Sequence, residues 1–333
     1  MLGVGRITAI YSNMMLECIN DHVVEIIDAG VNDTYDLVIG SKIIKQYVNK
    51  YVDDFLEFPV QKINLKLVFN SRRIKTMGAS FSTGGLFYPF STSRSSESSL
   101  ILKRCNKSLG EKIISELSNI SELTMGLELN IDFDKWVDGD VDIMWVDMMS
   151  TIMHELNHAY EFYCRYNNKT QKHINMALCW VNIDDNIISK KVQNKFNDFV
   201  YLLYYSLPFE MNAKVQELYP YVLKYDYSEF KDISTYKKIV SLTKFDAKLF
   251  HDELVSLIPI SCRKRVLKKV LARFKESYLL SCNGLKEIPN NSLVNQNNVL
   301  SLLQYHEKMV NKSGEIMRRK ILKLYSLKER VVS

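Results

Sequence analysis

The stretch that most restricts what this chain can fold into is Thr151-Ile152-Met153-His154-Glu155-Leu156-Asn157-His158-Ala159-Tyr160, where two histidines stand four positions apart inside an apolar repeat. Trp145, Met148, Met149, Ile152, Leu156, Ala159 and Tyr163 recur at spacings of three and four, which predicts one long helix with a buried stripe. Asp142 is the expected N-cap of that helix. His154 and His158 then lie one turn apart on one face, at the edge of the stripe, where they would line a cleft. Two ring nitrogens so placed can hold one metal ion. Glu155, one step round the helix, could reach a water on that ion. The bland alternative is a helix that carries two incidental polar histidines.

The rest of the chain sets the frame for this helix. Only 12 glycines and 6 prolines occur in 333 residues, so helices should dominate. Helical spacing predicts segments over 7–28 and 41–58, the second stopped by Pro59. The period then changes. Ile63, Leu65, Leu67 and Phe69 alternate with polar neighbours, as do Leu127, Leu129, Ile131 and Phe133, and both runs predict half-buried strands. Residues 77–90 read as one or two strands with Gly84-Gly85 as a turn, 91–99 as a serine-rich loop, 100–104 as a short strand and 112–123 as a helix. Asp138-Gly139-Asp140-Val141-Asp142 lacks the acidic residue that a calcium loop needs at its twelfth position, so it reads as a turn. Beyond the histidine helix, further helices are expected near 172–182, 188–205, 207–222, 233–243, 246–258, 262–281 and 296–326. The expected class is α+β, in three parts: a helical segment at 1–58, a core at 59–222 and a helical region at 223–333.

Several functional classes become remote on composition. The formal charge of +6 is too mild to indicate a nucleic-acid partner by itself. Six scattered cysteines form no CxxC pair, which argues against a disulfide framework and for a reducing compartment. Met1 to Arg6 lacks the basic start and apolar core of a signal peptide, so a cytoplasmic location is expected. No apolar run is long enough to span a membrane.

Two imidazoles leave a zinc ion short of a protein ligand, and three residues compete to supply it. Glu161 lies on the same helix but too far along a straight rod. Cys164 follows His158 by six positions, where a chain would need a glycine turn at 161 to double back, and Glu161 stands there instead. Glu210, in Ser206-Leu207-Pro208-Phe209-Glu210-Met211-Asn212-Ala213, is the third. Ser206 is the expected N-cap and Pro208 the first helical turn, so Glu210 opens a new helix. Ala213 shares its face and would let two helices approach closely.

Over residues 60–222 this layout resembles the gluzincin branch of the zincin-like metallopeptidases, on His154-Glu155-x-x-His158 and Glu210-x-x-Ala213. It is also similar to phage-encoded zincins with the pattern HELxHAYE followed by YY…P-E-x-N-A, matched here at 154–161 and 204–213. The resemblance implies a small mixed sheet ahead of the HExxH helix and a mostly helical half behind it. It implies zinc held by His154, His158 and Glu210, with Glu155 as general base, and a protein or peptide substrate. Lys214 departs from the pattern, because some gluzincins carry an acidic residue there that orients a histidine. Tyr201, Tyr204, His173 and His251 are the possible donors to an oxyanion, and an exposed sheet edge in 77–90 or 100–104 would pair with an extended peptide.

Two other classes compete. One is a catalytically silent zincin-fold protein with a structural or virion-associated role. The other is a nucleic-acid binder using the basic amphipathic segments 262–273 and 317–323, although a charged helix face is ordinarily only solvated.

Overall fold

Ile63, Leu65 and Leu67 put their side chains on one buried face of a strand while Gln61 and Lys66 face water, and a small sheet grows around that strand. The structure, a computed structural model, describes residues 2–22, 34–51, 60–69, 81–88, 122–131, 141–165, 189–282 and 296–332. The expected elements at 91–99, 100–104 and 172–182, and 112–121 of the expected helix 112–123, lie outside them. The described residues include four strands: β1 (Thr34–Ile39), β2 (Lys62–Phe69), β3 (Phe81–Tyr88) and β4 (Glu122–Ile131). Their order is β1-β2-β4-β3. β2 and β4 run parallel, and each edge strand is antiparallel to its neighbour.

Three strand expectations need correction. β1 was not anticipated, because Tyr35, Leu37 and Ile39 turn inward but the outward Val38 is also apolar, so the alternation is short and blurred. Gly84 and Gly85 make no turn; they pair with Glu128 and Leu127 inside one continuous strand. Glycine permits a turn without requiring one, and the ladder to β4 decides. Glu122 and Leu123 begin β4 and do not end a helix, since they pair with Lys62 and Ile63.

Helix α1 (Leu2–Asp21) and the histidine helix α3 (Val141–Arg165) share one apolar core with this sheet, and α2 (Ser41–Tyr51) packs at its margin. Met14 and Met15 of α1, Leu65 and Met125 of the sheet, and Ile152 and Leu156 of α3 all sit in it. Asp142, the expected cap, lies instead inside the first turn of α3, two residues past the cap position of a helix that begins at Val141. Boundaries of this kind shift by a residue or two with little energetic consequence.

The second half is helical: α4 (Lys190–Tyr205), α5 (Pro208–Glu217), α6 (Tyr219–Lys224), α7 (Tyr227–Phe230), α8 (Ser234–Leu242), α9 (Ala247–Ser256), α10 (Arg263–Cys282) and α11 (Val299–Val332). The single helix expected over 207–222 is broken at Leu218, because Pro220 cannot donate back to Gln216 and its ring crowds that turn. Ser206 does not cap α5. It closes α4, its hydroxyl donating to the Leu202 carbonyl at 2.6 Å, and Leu207 takes the cap position. Among the described residues, no helix is long and apolar enough to cross a membrane.

α11 is the axis of this half. Phe199, Phe230, Phe274, Leu302, Leu303 and Met317 belong to one buried cluster around it. Asn311 clamps the turn after α8: its Nδ2 donates to the Phe245 carbonyl at 3.1 Å and its Oδ1 accepts from the Phe245 N–H at 3.0 Å. At Gly314 a Cβ would stand 2.8 Å from the Thr243 nitrogen and 2.9 Å from the Leu242 Cβ, so α8 and α11 touch backbone to side chain there. Helix propensity alone favours alanine at such a site by roughly 1 kcal/mol. Overpacking at the contact costs about 1–3 kcal/mol and should win. Gly314→Ala is therefore expected to lower the midpoint of chemical unfolding, and an unchanged or raised midpoint would show that the two helices are not in contact.

Candidate metal centre

α3 is buried nearly all round from Ile152 to Tyr160. One side faces the sheet and α1; the other is covered by α5 and α6. This corrects the expectation that the histidines sit at a stripe edge facing a cleft. His154 and His158 are 9% and 6% exposed, and Glu155 is 7% exposed. Helical spacing reports one apolar face well, but it cannot show that a second helix will lie on the polar one.

That second helix is α5. The chain leaves α4 at Ser206, whose carbonyl accepts from Ser313 Oγ of α11 at 3.2 Å, and re-enters a helix at Pro208. Glu210 falls in the first turn of α5 and Ala213 one turn later, and both are completely buried. The crossing places the Glu210 carboxylate between the two imidazoles. Oε1 is 3.1 Å from Nε2 of His158, Oε2 is 3.6 Å from Nε2 of His154, and the two Nε2 atoms are 3.0 Å apart. Four ligands held tetrahedrally at about 2.0–2.1 Å from an ion stand about 3.3 Å from one another. The three donors are thus spaced as a small tetrahedral cation would space them.

The polar accounting points the same way. Both Glu210 oxygens are buried with no hydrogen-bond donor aligned on them. A carboxylate removed from water in this way is costly unless a cation neutralises it. Burial alone would raise the Glu210 pKa, but the flanking His158 and His154 outweigh it and hold the carboxyl below its ordinary value. Burial alone would lower His158, but Glu210 and Glu155 pull it above the ordinary 6.5. Without a metal, a proton on His158 is the counter-charge.

A third acid completes the surroundings. Glu217 Oε2 approaches Nδ1 of His154 to 2.9 Å without the alignment of a formed N–H···O bond. The same carboxylate is hydrogen-bonded by Lys214 Nζ and, through Oε1, by Thr235 Oγ1 at 3.1 Å. Burial opposes ionisation of Glu217, yet Lys214 and His154 hold it well below the usual carboxylate range. With both imidazoles neutral, as metal ligation requires, Glu155, Glu210 and Glu217 against Lys214 leave two negative charges, the amount that one divalent cation balances. His306 offers the contrast. It packs against the rings of Phe199 and Phe274 with no carboxylate beside it among the described residues, and burial pushes its imidazole down to about 3.

The remaining sequence candidates are placed as follows. Glu161 stays away from the cluster and accepts a hydrogen bond from Asn212 Nδ2 at 2.6 Å, whose Oδ1 accepts from Lys320 Nζ at 2.8 Å. Cys164 lies in α3, which runs unbroken to Arg165. Of the possible oxyanion donors, Tyr204 is beside Glu210 and Glu155, and burial together with Glu210 pushes its phenol far above the range in which it could ionise. Tyr201 is half-exposed, and His251 stands 3.5 Å from Asp252 on α9. His173 lies outside the described residues. Glu217 is the residue that sequence reasoning missed. Its signal was present, since seven positions after Glu210 is two helical turns and therefore the same face.

No protein-family model matches the chain, and neither a curated protein nor a solved structure matches it.

The proton–metal competition gives a pH dependence with a defined sign. The protonated His158–Glu210 pair stabilises the metal-free protein fully below about 6.5 and is lost as pH rises through the raised folded value. Metal requires the neutral ring, so both effects act together. The melting-temperature difference between zinc-loaded and chelated protein is expected to grow as pH rises through and beyond the histidine range. A difference that shrinks over that interval would exclude His158 as a ligand.

Proposed function

We propose that this protein is a zinc-dependent metallopeptidase of the zincin-like, gluzincin type. The observation that carries the reading is the convergence of three buried donors from two helices, His154 and His158 of α3 and Glu210 of α5. Two imidazoles and one carboxylate, with further coordination left for water, are the donor set of a hydrolytic zinc centre. Zinc bound there would acidify a bound water towards a pKa near 7 and polarise a carbonyl.

The chain's own residues divide the remaining work. Glu155 follows His154 directly on α3 and is buried, close enough to His158 and Tyr204 to act on both electrostatically. Its carboxylate takes the proton from the attacking water and hands it to the leaving nitrogen. Tyr204 keeps its hydroxyl proton at any working pH and can donate it as a hydrogen bond to the oxyanion that develops. β3, an edge strand among the described residues, runs antiparallel to β4 and packs against α3. An extended peptide adding to that edge would lie along the histidine helix, which makes a protein or peptide the substrate class.

Glu155→Gln is expected to keep the metal and the fold while lowering hydrolysis of casein or a peptide library by roughly a hundredfold to ten-thousandfold, the usual contribution of a general base. Hydrolysis at the wild-type rate in the variant would reject Glu155 as the base, whereas hydrolysis that survives a chelator, or a wild type that cuts no peptide, would remove the zinc-peptidase reading.

A further inference from the structure

Lys214 and Glu217 are charged, mostly buried and outside the ligand set, with side-chain exposures of 18% and 14%. Glu217 accepts hydrogen bonds from Lys214 and Thr235 and stands close to His154 without a formed bond. One oxygen of Glu217 faces both Nδ1 of His154 and the Lys214 ammonium, and the other accepts from Thr235 of α8. The carboxylate is therefore held from three elements and turned toward the ring nitrogen that does not face the metal. A carboxylate at that nitrogen keeps its proton on the far side of the ring, leaves Nε2 free to bind a cation and makes the imidazole a stronger donor. The ammonium on the same oxygen works against this, because it withdraws charge that Nδ1 would otherwise feel and adds a positive charge near a cation site.

We propose that the Lys214–Glu217 pair sets the affinity of the metal centre, with Glu217 as a positioning residue that strengthens His154 and Lys214 as the charge that limits it. This rests on the metal-centre reading and adds to it an opposed pair of controls. Lys214 stands four residues after Glu210 and Glu217 seven, so one short helix carries the ligand, the brake and the support on one face. A small cavity of about 80 Å³ is lined by the polar Tyr205, Lys214, Glu217, Thr235 and Lys238 and by the apolar Ile239 and Leu242. It has room for water, which would solvate Glu217 if the ammonium were removed. Loss of the lysine charge is therefore compatible with the fold.

The experiment is competition for zinc against a chromophoric chelator, on the full chain, for wild type, Glu217→Gln, Lys214→Met and Thr235→Val. Glu217→Gln should lose roughly tenfold to a hundredfold in affinity, the usual cost of removing such a partner. Lys214→Met should bind at least as tightly as wild type, and its chelated form should melt lower. Thr235→Val, remote from the ligands, should show a smaller loss and keeps the test open if Glu217→Gln does not fold. Long-range ¹H–¹⁵N spectra of the zinc form should show the His154 proton on Nδ1 in wild type. A loss of affinity in Lys214→Met as large as in Glu217→Gln would mean that the pair only supports the fold, and would overturn the inference. So would unchanged affinity in Glu217→Gln, or in Thr235→Val where only that variant folds. Failure of wild type to bind zinc at all would instead overturn the metal centre itself.

Discussion

A carboxylate with no exposed surface and no aligned hydrogen-bond donor, wedged between two imidazoles, is the constraint on which this molecule turns. Ionised and alone, Glu210 would destabilise the fold by several kcal/mol. On the proposed reading, the two histidines, Glu155 and the Lys214–Glu217 pair are a group that a small dication would complete. Each of those charged groups is costly to bury separately, so their clustering at one helix crossing is a property of the site and not of the core.

The fold supplies that crossing through unremarkable means. The sheet and α1 bury one side of α3 with Met14, Leu65, Ile152 and Leu156. The helical half, organised on α11, brings α5 to the other side, and the break at Leu207–Pro208 sets where its first turn begins. Glu210 must sit in that first turn to reach the histidines. Anionic side chains are also favoured there by the helix dipole, which offsets part of the burial cost. Ala213 removes bulk at the next turn, where α5 packs against α3.

Much of this was legible in the residues. The α+β character, the long histidine helix and the helical second half follow from hydrophobic period, and the place of Glu210 beside the two histidines was expected from the search for a third ligand together with Pro208. What was not legible had specific causes. β1 turns Tyr35, Leu37 and Ile39 inward, but the exposed Val38 between them is apolar too, and the period was lost in a continuous apolar run. The Gly84-Gly85 pair reads as a turn until the β4 ladder is known. The burial of His154 and His158 depends on a helix some fifty residues away in sequence, and local patterning contains no information about that. Glu217 was hidden for a related reason. It shares a face with Glu210, but an acid at that spacing is ordinarily solvated, and only the fold brings it to His154.

The central claim is that His154, His158 and Glu210 hold one zinc ion, and the most direct test is elemental analysis. Protein purified without chelators should be measured by inductively coupled plasma mass spectrometry beside Glu210→Gln, with circular dichroism to establish that both are folded. The account predicts about one zinc per wild-type chain and a strong loss in a variant that keeps its helices. Wild-type protein free of transition metal after incubation with zinc, or a folded Glu210→Gln variant that retains the full complement, would contradict it.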